Sequence, residues 1–102
     1  MRGRFALGDG GMQLLEAIEA TGSIRAAANR VGWSYRHALG YIDNAETTLG
    51  KNLVTRTRGG NDRGGAILTE EAREFVRRYG RFRDAIEAAL HRLYDSAFAG
   101  RA

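Results

Sequence analysis

Apolar residues recur three to four positions apart at Met12, Leu14, Leu15 and Ile18, with Glu19 next on the polar side. This spacing predicts a short amphipathic helix that ends near Thr21-Gly22, glycine being the usual left-handed terminator. Ser23 then reads as the N-cap of a second helix, Ile24 to Val31, carrying the triplet Ala26, Ala27 and Ala28. Gly32 breaks it after barely two turns. Ser34 is the next cap and opens a longer helix that runs through Leu49 and stops at Gly50.

The period then switches to two. Leu53-Val54-Thr55-Arg56-Thr57-Arg58 is β-branched and alternating, and Ala66-Ile67-Leu68 is a second short apolar run. The Gly-rich stretch Gly59 to Gly65 between them forms the turn of a two-stranded hairpin with a long basic tip. Thr69 caps the last element, with Glu70 and Glu71 in the first turn, where negative charge complements the helix dipole. From Glu70 to about Tyr94, Phe75, Tyr79, Phe82, Ile86, Leu90 and Leu93 recur at spacings of 4, 3, 4, 4 and 3. Such a narrow seam belongs to a helix that packs along another long helix. Gly80 weakens it by about 1 kcal/mol relative to Ala.

Three helices followed by a hairpin and a long helix predict a mainly α fold with a small β-hairpin wing, a winged helix-turn-helix. Residues 10–69 form this unit and residues 70–96 a long C-terminal dimerisation helix. Residues 1–9 form an N-terminal segment, read as a short strand or disordered, and residues 97–102 a tail. Ala28, four residues before Gly32, sits where two helices meet closely, and Gly32 takes the tight turn. Ala38, Ile42, Ala45 and Leu49 give the buried stripe of the third helix. Its opposite face presents Tyr35, Arg36, Leu39, Gly40 and Asp43. The N-terminal turn of this helix, with Tyr35 and Arg36, is the part suited to reach base edges in a major groove.

Composition sharpens this reading in three places. The 102 residues allow one small domain and a thin burial margin for an isolated monomer. There are 16 basic and 12 acidic residues, and Lys51 is the one lysine. The excess is confined to the second half: five basic and five acidic residues lie in 1–50, against eleven and seven in 51–102. Arginine on a glycine-rich loop suits phosphate, because the planar guanidinium donates bidentately to oxyanions. Cysteine is absent and the histidines are two, His37 and His91, which excludes thiolate chemistry and a multi-histidine metal cage. No metal or cofactor is expected. No apolar run reaches the roughly 20 residues needed to span a bilayer, and the first residues lack the apolar core of a signal peptide. The expectation is a cytoplasmic protein without membrane contact.

These residues also carry a family resemblance. Thr21-Gly22-Ser23-Ile24-Arg25-Ala26-Ala27-Ala28, then Ser34 to Gly50 and Leu53-Val54-Thr55-Arg56, resemble the LysR-type DNA-binding domain. Gly32-Trp33-Ser34-Tyr35-Arg36-His37-Ala38 and Gly64-Gly65-Ala66-Ile67-Leu68-Thr69 are similar to the N-terminal domain of ModE-type, molybdate-responsive transcriptional regulators. The similarity covers roughly residues 10 to 95. It implies that the second helix of the motif reads the major groove, that the wing tracks the backbone or minor groove, and that long terminal helices pair protomers. Carried over, Ser34, Tyr35, Arg36, His37 and Gly40 belong to the groove-reading helix. Ser23 and Arg25 lie near phosphates, and Arg56, Arg58, Asn61 and Arg63 belong to the wing. Leu15 and Ile18 join Phe75, Tyr79, Phe82, Ile86, Leu90 and Leu93 in the dimer interface. The implied partner is double-stranded DNA carrying an inverted repeat. The expectation is a chain without the family's C-terminal oxyanion-binding domains. The resemblance then implies DNA binding and no molybdate or tungstate site in this chain, which is either a stand-alone regulator or one that senses an effector elsewhere. Such an effector would act through another partner.

Competing readings are weaker. The loop Gly59 to Gly65 lacks the Gly-Lys-Ser/Thr ending of a phosphate cradle and is followed by a strand. Trp33, Tyr41 and Tyr79 read as packing residues, His91 as a surface histidine, and Arg77, Arg78, Arg81 and Arg83 as a solvated face. An enzyme is not expected: Glu70 and Glu71 are adjacent and diverge, and neither histidine has a partner at a recognised spacing. The alternative is a dimeric protein-interaction adaptor whose basic wing docks an acidic partner. It accounts for the seam and the basic loop, but not for the Ala–Gly–Ser pattern that shapes a groove-reading helix.

Overall fold

The computed structural model describes residues 9–57 and 65–98. Three helices come first: α1 (Asp9–Thr21), α2 (Ile24–Val31) and α3 (Tyr35–Leu49). Two strands, β1 (Val54–Thr57) and β2 (Gly65–Leu68), and the long α4 (Glu70–Phe98) complete the order. The boundaries follow local chemistry. Ser23 is extended, and its Oγ accepts the Ala26 N–H at 3.0 Å. Ser34 does the same for His37 at 3.0 Å. Gly32 closes α2 in the left-handed region, φ 80°, where its N–H reaches the Ala28 and Asn29 carbonyls. A side chain at that φ would crowd the backbone, so glycine is what allows the tight turn. Thr69 opens α4, accepting the Ala72 N–H at 3.2 Å while donating to the Asn52 carbonyl at 2.8 Å.

The core is one cluster in which all three short helices meet the wing. Leu14, Leu15, Ile18, Ile42 and Leu53 are its largest closed side chains. Ala27, Ala28, Ala38 and Ala45 are buried beside them and keep the helices close. The strands pair antiparallel, with Val54 opposite Leu68 and Arg56 opposite Ala66. Alternation puts Val54, Leu68 and Ala66 on one face, buried, and leaves Thr55 and Ile67 outside. The wing is tied to the helices by the Ala66 N–H, which donates to the Gly22 carbonyl at 2.9 Å. Gly65 sits in the same corner, where a Cβ would lie 2.9 Å from Thr57 Oγ1 and 3.3 Å from the Gly22 carbonyl oxygen.

Two element ends depart from the sequence expectation. α1 begins at Asp9, so that residue is helical and not part of an N-terminal segment. α4 runs through Gly80 to Phe98 without a break, so Ala97 and Phe98 belong to the helix and not to a tail. Nothing terminates it at Tyr94. Tyr94 and Phe98 are one turn apart, with ring centroids at 4.7 Å. The rest of the N-terminal segment, the wing tip at 58–64 and the tail at 99–102 lie outside the described residues.

The dimer-interface expectation needs a larger correction. Leu15 and Ile18 are 1% and 0% exposed within the single chain, so they form its core and offer no surface to a second copy. Phe75 and Tyr79 are half-buried against the same core. From Phe82 onward the seam is bare: Phe82, Ile86, Leu90 and Leu93 are exposed, and Tyr94 and Phe98 extend the stripe.

Two contacts hold the base of α4. The Tyr79 hydroxyl donates to Asp9 Oδ1 at 2.7 Å, and the Arg83 guanidinium donates to Glu16 Oε2 at 3.2 Å. Arg83 therefore bridges α4 to α1 and is not merely a solvated charge. Arg77 and Arg78, expected on that face, both pair with Glu74 and hold its carboxyl below the usual range.

Candidate nucleic-acid interface

The third helix presents its buried stripe, Ala38, Ile42 and Ala45, with half-buried Leu49, to the core. On the opposite side a 3.6-residue period groups Arg36, Gly40, Asp43, Asn44 and Thr47, and all five are exposed. Tyr35 and Leu39 flank this face and are half-buried. The first turn of α3 therefore offers one guanidinium, the Ser34 cap and a run of short or polar side chains. That is a shape a groove can accept.

Neighbouring elements brace this turn on both sides. From α2, the Arg25 guanidinium carbon lies 4.1 Å from the centroid of the Tyr35 ring. A cation over an aromatic face is attracted by the ring quadrupole. On the other flank, Trp33 meets His37 edge-on at 4.3 Å and Tyr41 at 5.4 Å between centroids. Trp33 also reaches α1, because a Cβ on Gly10 would lie 3.3 Å from its ring. A Cβ on Gly11 would overlap the Tyr41 hydroxyl. The two glycines let α1 start directly against this aromatic group. Trp33 is thus a packing residue, as its sequence context suggests, and His37 stands exposed beside it.

Arg25, Arg36 and Arg56 are all exposed, one each from α2, α3 and β1. Ser23 is half-buried and spends its hydroxyl on the Ala26 cap. Arg58, Asn61 and Arg63, the remaining wing candidates, lie outside the described residues.

One residue that orients the interface has no counterpart among the sequence candidates. Glu46, in the last turn of α3, points its carboxylate at β1 and accepts the Leu53 N–H at 2.7 Å and the Val54 N–H at 3.3 Å. It fixes where the wing leaves the helix. The available signal was its position: an acid near a helix C-terminus opposes the dipole, so it needs a partner elsewhere. The partner itself, seven and eight residues on, is not visible in any helical period.

Among the described residues no group of three or more His, Asp or Glu stands close enough to hold a metal ion. Among the described residues no helix is long and apolar enough to cross a membrane.

Comparison with known proteins agrees with this architecture. The family described as "Bacterial regulatory helix-turn-helix protein, lysR family" matches residues 10–73. Over 88 residues the chain is 41% identical to the molybdenum transport protein ModE of Azotobacter vinelandii, covering 86% of this chain and 33% of that protein. It is 41% identical over 83 residues to the molybdenum-pterin-binding protein MopB of Rhodobacter capsulatus, covering 81% and 29%. The chain thus spans only about a third of the length of these curated relatives, 33% and 29%. Among solved structures, that of a CbnR_DBD–DNA complex superposes with a TM-score of 0.67 at 22% identity, covering 84% of this chain and 93% of that one. The shared fold is a winged helix-turn-helix.

Proposed function

The chain belongs to the lysR family of bacterial regulatory helix-turn-helix proteins, and from that premise we propose that it is a transcription regulator, not an enzyme, that binds double-stranded DNA sequence-specifically as a homodimer. The observation that carries this reading is the exposed face of α3, with Arg36 in its first turn and Arg25 and Tyr35 stacked beside it. The N-terminal half of α3 enters the major groove, and Arg36 donates to a guanine edge. Arg25 and Arg56 contact flanking phosphates, as do Arg58 and Arg63 of the wing. A solved structure with the same fold is that of a complex with DNA, which supports this partner.

The homodimer reading rests on α4. Its outer half exposes Phe82, Ile86, Leu90 and Leu93 along one stripe, an apolar surface that the described residues leave uncovered. Pairing of two such helices sets two copies of α3 about 34–36 Å apart, one turn of duplex, and the target is then an inverted repeat. The relatives' names associate them with molybdenum, which supports molybdate or tungstate as the signal behind this regulation. Duplex binding measured across a salt series tests the reading. The logarithm of the affinity should fall with that of salt at about −0.9 per phosphate contacted. A protein-docking adaptor would instead leave duplex DNA unbound at all salt concentrations.

A further inference from the structure

Most described glycines have a reason inside the molecule. Gly22, Gly32 and Gly50 have positive φ, Gly10 and Gly11 meet Trp33 and Tyr41, and Gly65 meets Thr57 and the Gly22 carbonyl. Gly40 has none. It lies in the interior of α3, its φ is not positive, and nothing stands within 4 Å of where its Cβ would be. Glycine inside a helix costs stability relative to alanine, because the unfolded chain loses more freedom. An alanine would fit here without contact, so the protomer itself gains nothing from the missing side chain.

The position of this gap supplies the reason. Gly40 is exposed, one turn after Arg36 and one turn before Asp43 and Asn44, on the face opposite the buried stripe. We propose that Gly40 is the point of closest approach between α3 and duplex DNA, where bare helix backbone lies against a base-pair edge on the floor of the major groove. This rests on the DNA-binding reading of α3 and makes Gly40 a specificity-determining residue for it. The gap lets the helix sink between Arg36 and Asp43, so that both side chains reach base edges on either side. A Cβ at this point holds the helix away from the floor and lengthens those contacts together. Gly80 also has open space where its Cβ would be, but it is half-buried and sits on α4, away from the exposed face of α3.

Gly40→Ala in the full chain separates the protomer from the complex. The expected result is a melting temperature raised by a few degrees, with affinity for the selected duplex lowered tenfold or more. Affinity for an unrelated duplex of the same length stays within twofold, because phosphate contacts from Arg25 and Arg56 are retained. Gly40→Gln should abolish the preference for the selected duplex altogether. A Gly40→Ala protein that binds the selected duplex within twofold of the wild type overturns the proposal while leaving the DNA-binding reading intact. A lowered melting temperature overturns it too, since glycine would then serve the fold. A wild-type protein that binds no duplex removes both.

Discussion

The Arg25 guanidinium lies 4.1 Å over the ring of Tyr35, joining the first turn of α2 to the first turn of α3. Both residues belong to the candidate DNA surface, and the contact makes them one unit. The ring holds the guanidinium near the helix ends, and the guanidinium covers one face of the ring.

Arg25→Ala should therefore act twice. Loss of the cation–π contact costs about 0.5–1 kcal/mol of stability at an exposed site. Loss of a phosphate contact weakens all duplexes alike and flattens the salt slope by roughly 0.9. Arg25→Lys keeps the charge but not the planar stack, so it should retain most of the salt slope. Fluorescence anisotropy across a salt series distinguishes the two variants.

Glu46 holds the start of the wing through two backbone N–H groups. Glu46→Ala leaves both donors without their carboxylate, a loss of about 1.5–3 kcal/mol for charge-assisted bonds. Glu46→Gln keeps an acceptor oxygen and should fall between the wild type and Ala. Urea unfolding should show a lower midpoint with an unchanged slope, and duplex affinity should fall because the wing loses its angle to α3.

The Tyr79–Asp9 bond predicts an alkaline signature. The hydroxyl donates to the Asp9 carboxylate, so ionising Tyr79 is disfavoured and its pKa lies above the usual 10.0. A raised folded-state pKa on an acid favours its neutral form. The stabilisation is present below the ordinary value and is lost as pH rises through the raised one. The difference in melting temperature between wild type and Tyr79→Phe should be constant from about pH 7 to 9 and shrink above about pH 10.

The exposed half of α4 predicts self-association. Sedimentation equilibrium at micromolar concentration should give a dimer. Leu90→Glu combined with Leu93→Glu should give a monomer with its core intact, because both residues are more than 60% exposed in the single chain. A wild-type monomer at that concentration would remove the paired-helix account.

How much of this was legible in the sequence depends on how local the physics is. Ser23, Ser34, Gly32 and Thr69 act within a few residues of themselves, so caps and turns could be read directly. The apolar period located the apolar face of each helix but not what covers it. Leu15 and Ile18 therefore read as interface when they are core. Glu46 and Arg83 act across elements, on β1 and α1 respectively. No period along their own helices points there, and Arg83 read as a solvated charge for that reason. The end of α4 was misplaced because nothing after Tyr94 stops the helix before Phe98.

Selection of duplexes from a random pool, with the wild type and Arg36→Ala in parallel, tests the central claim most directly. The wild type should enrich an inverted repeat with half-sites about 10–10.5 base pairs apart, centre to centre. Arg36→Ala should lose about 1–3 kcal/mol and relax the preference at one guanine in each half-site. Failure of the wild type to enrich any duplex, or an Arg36→Ala profile identical to it, would contradict α3 as the groove-reading helix.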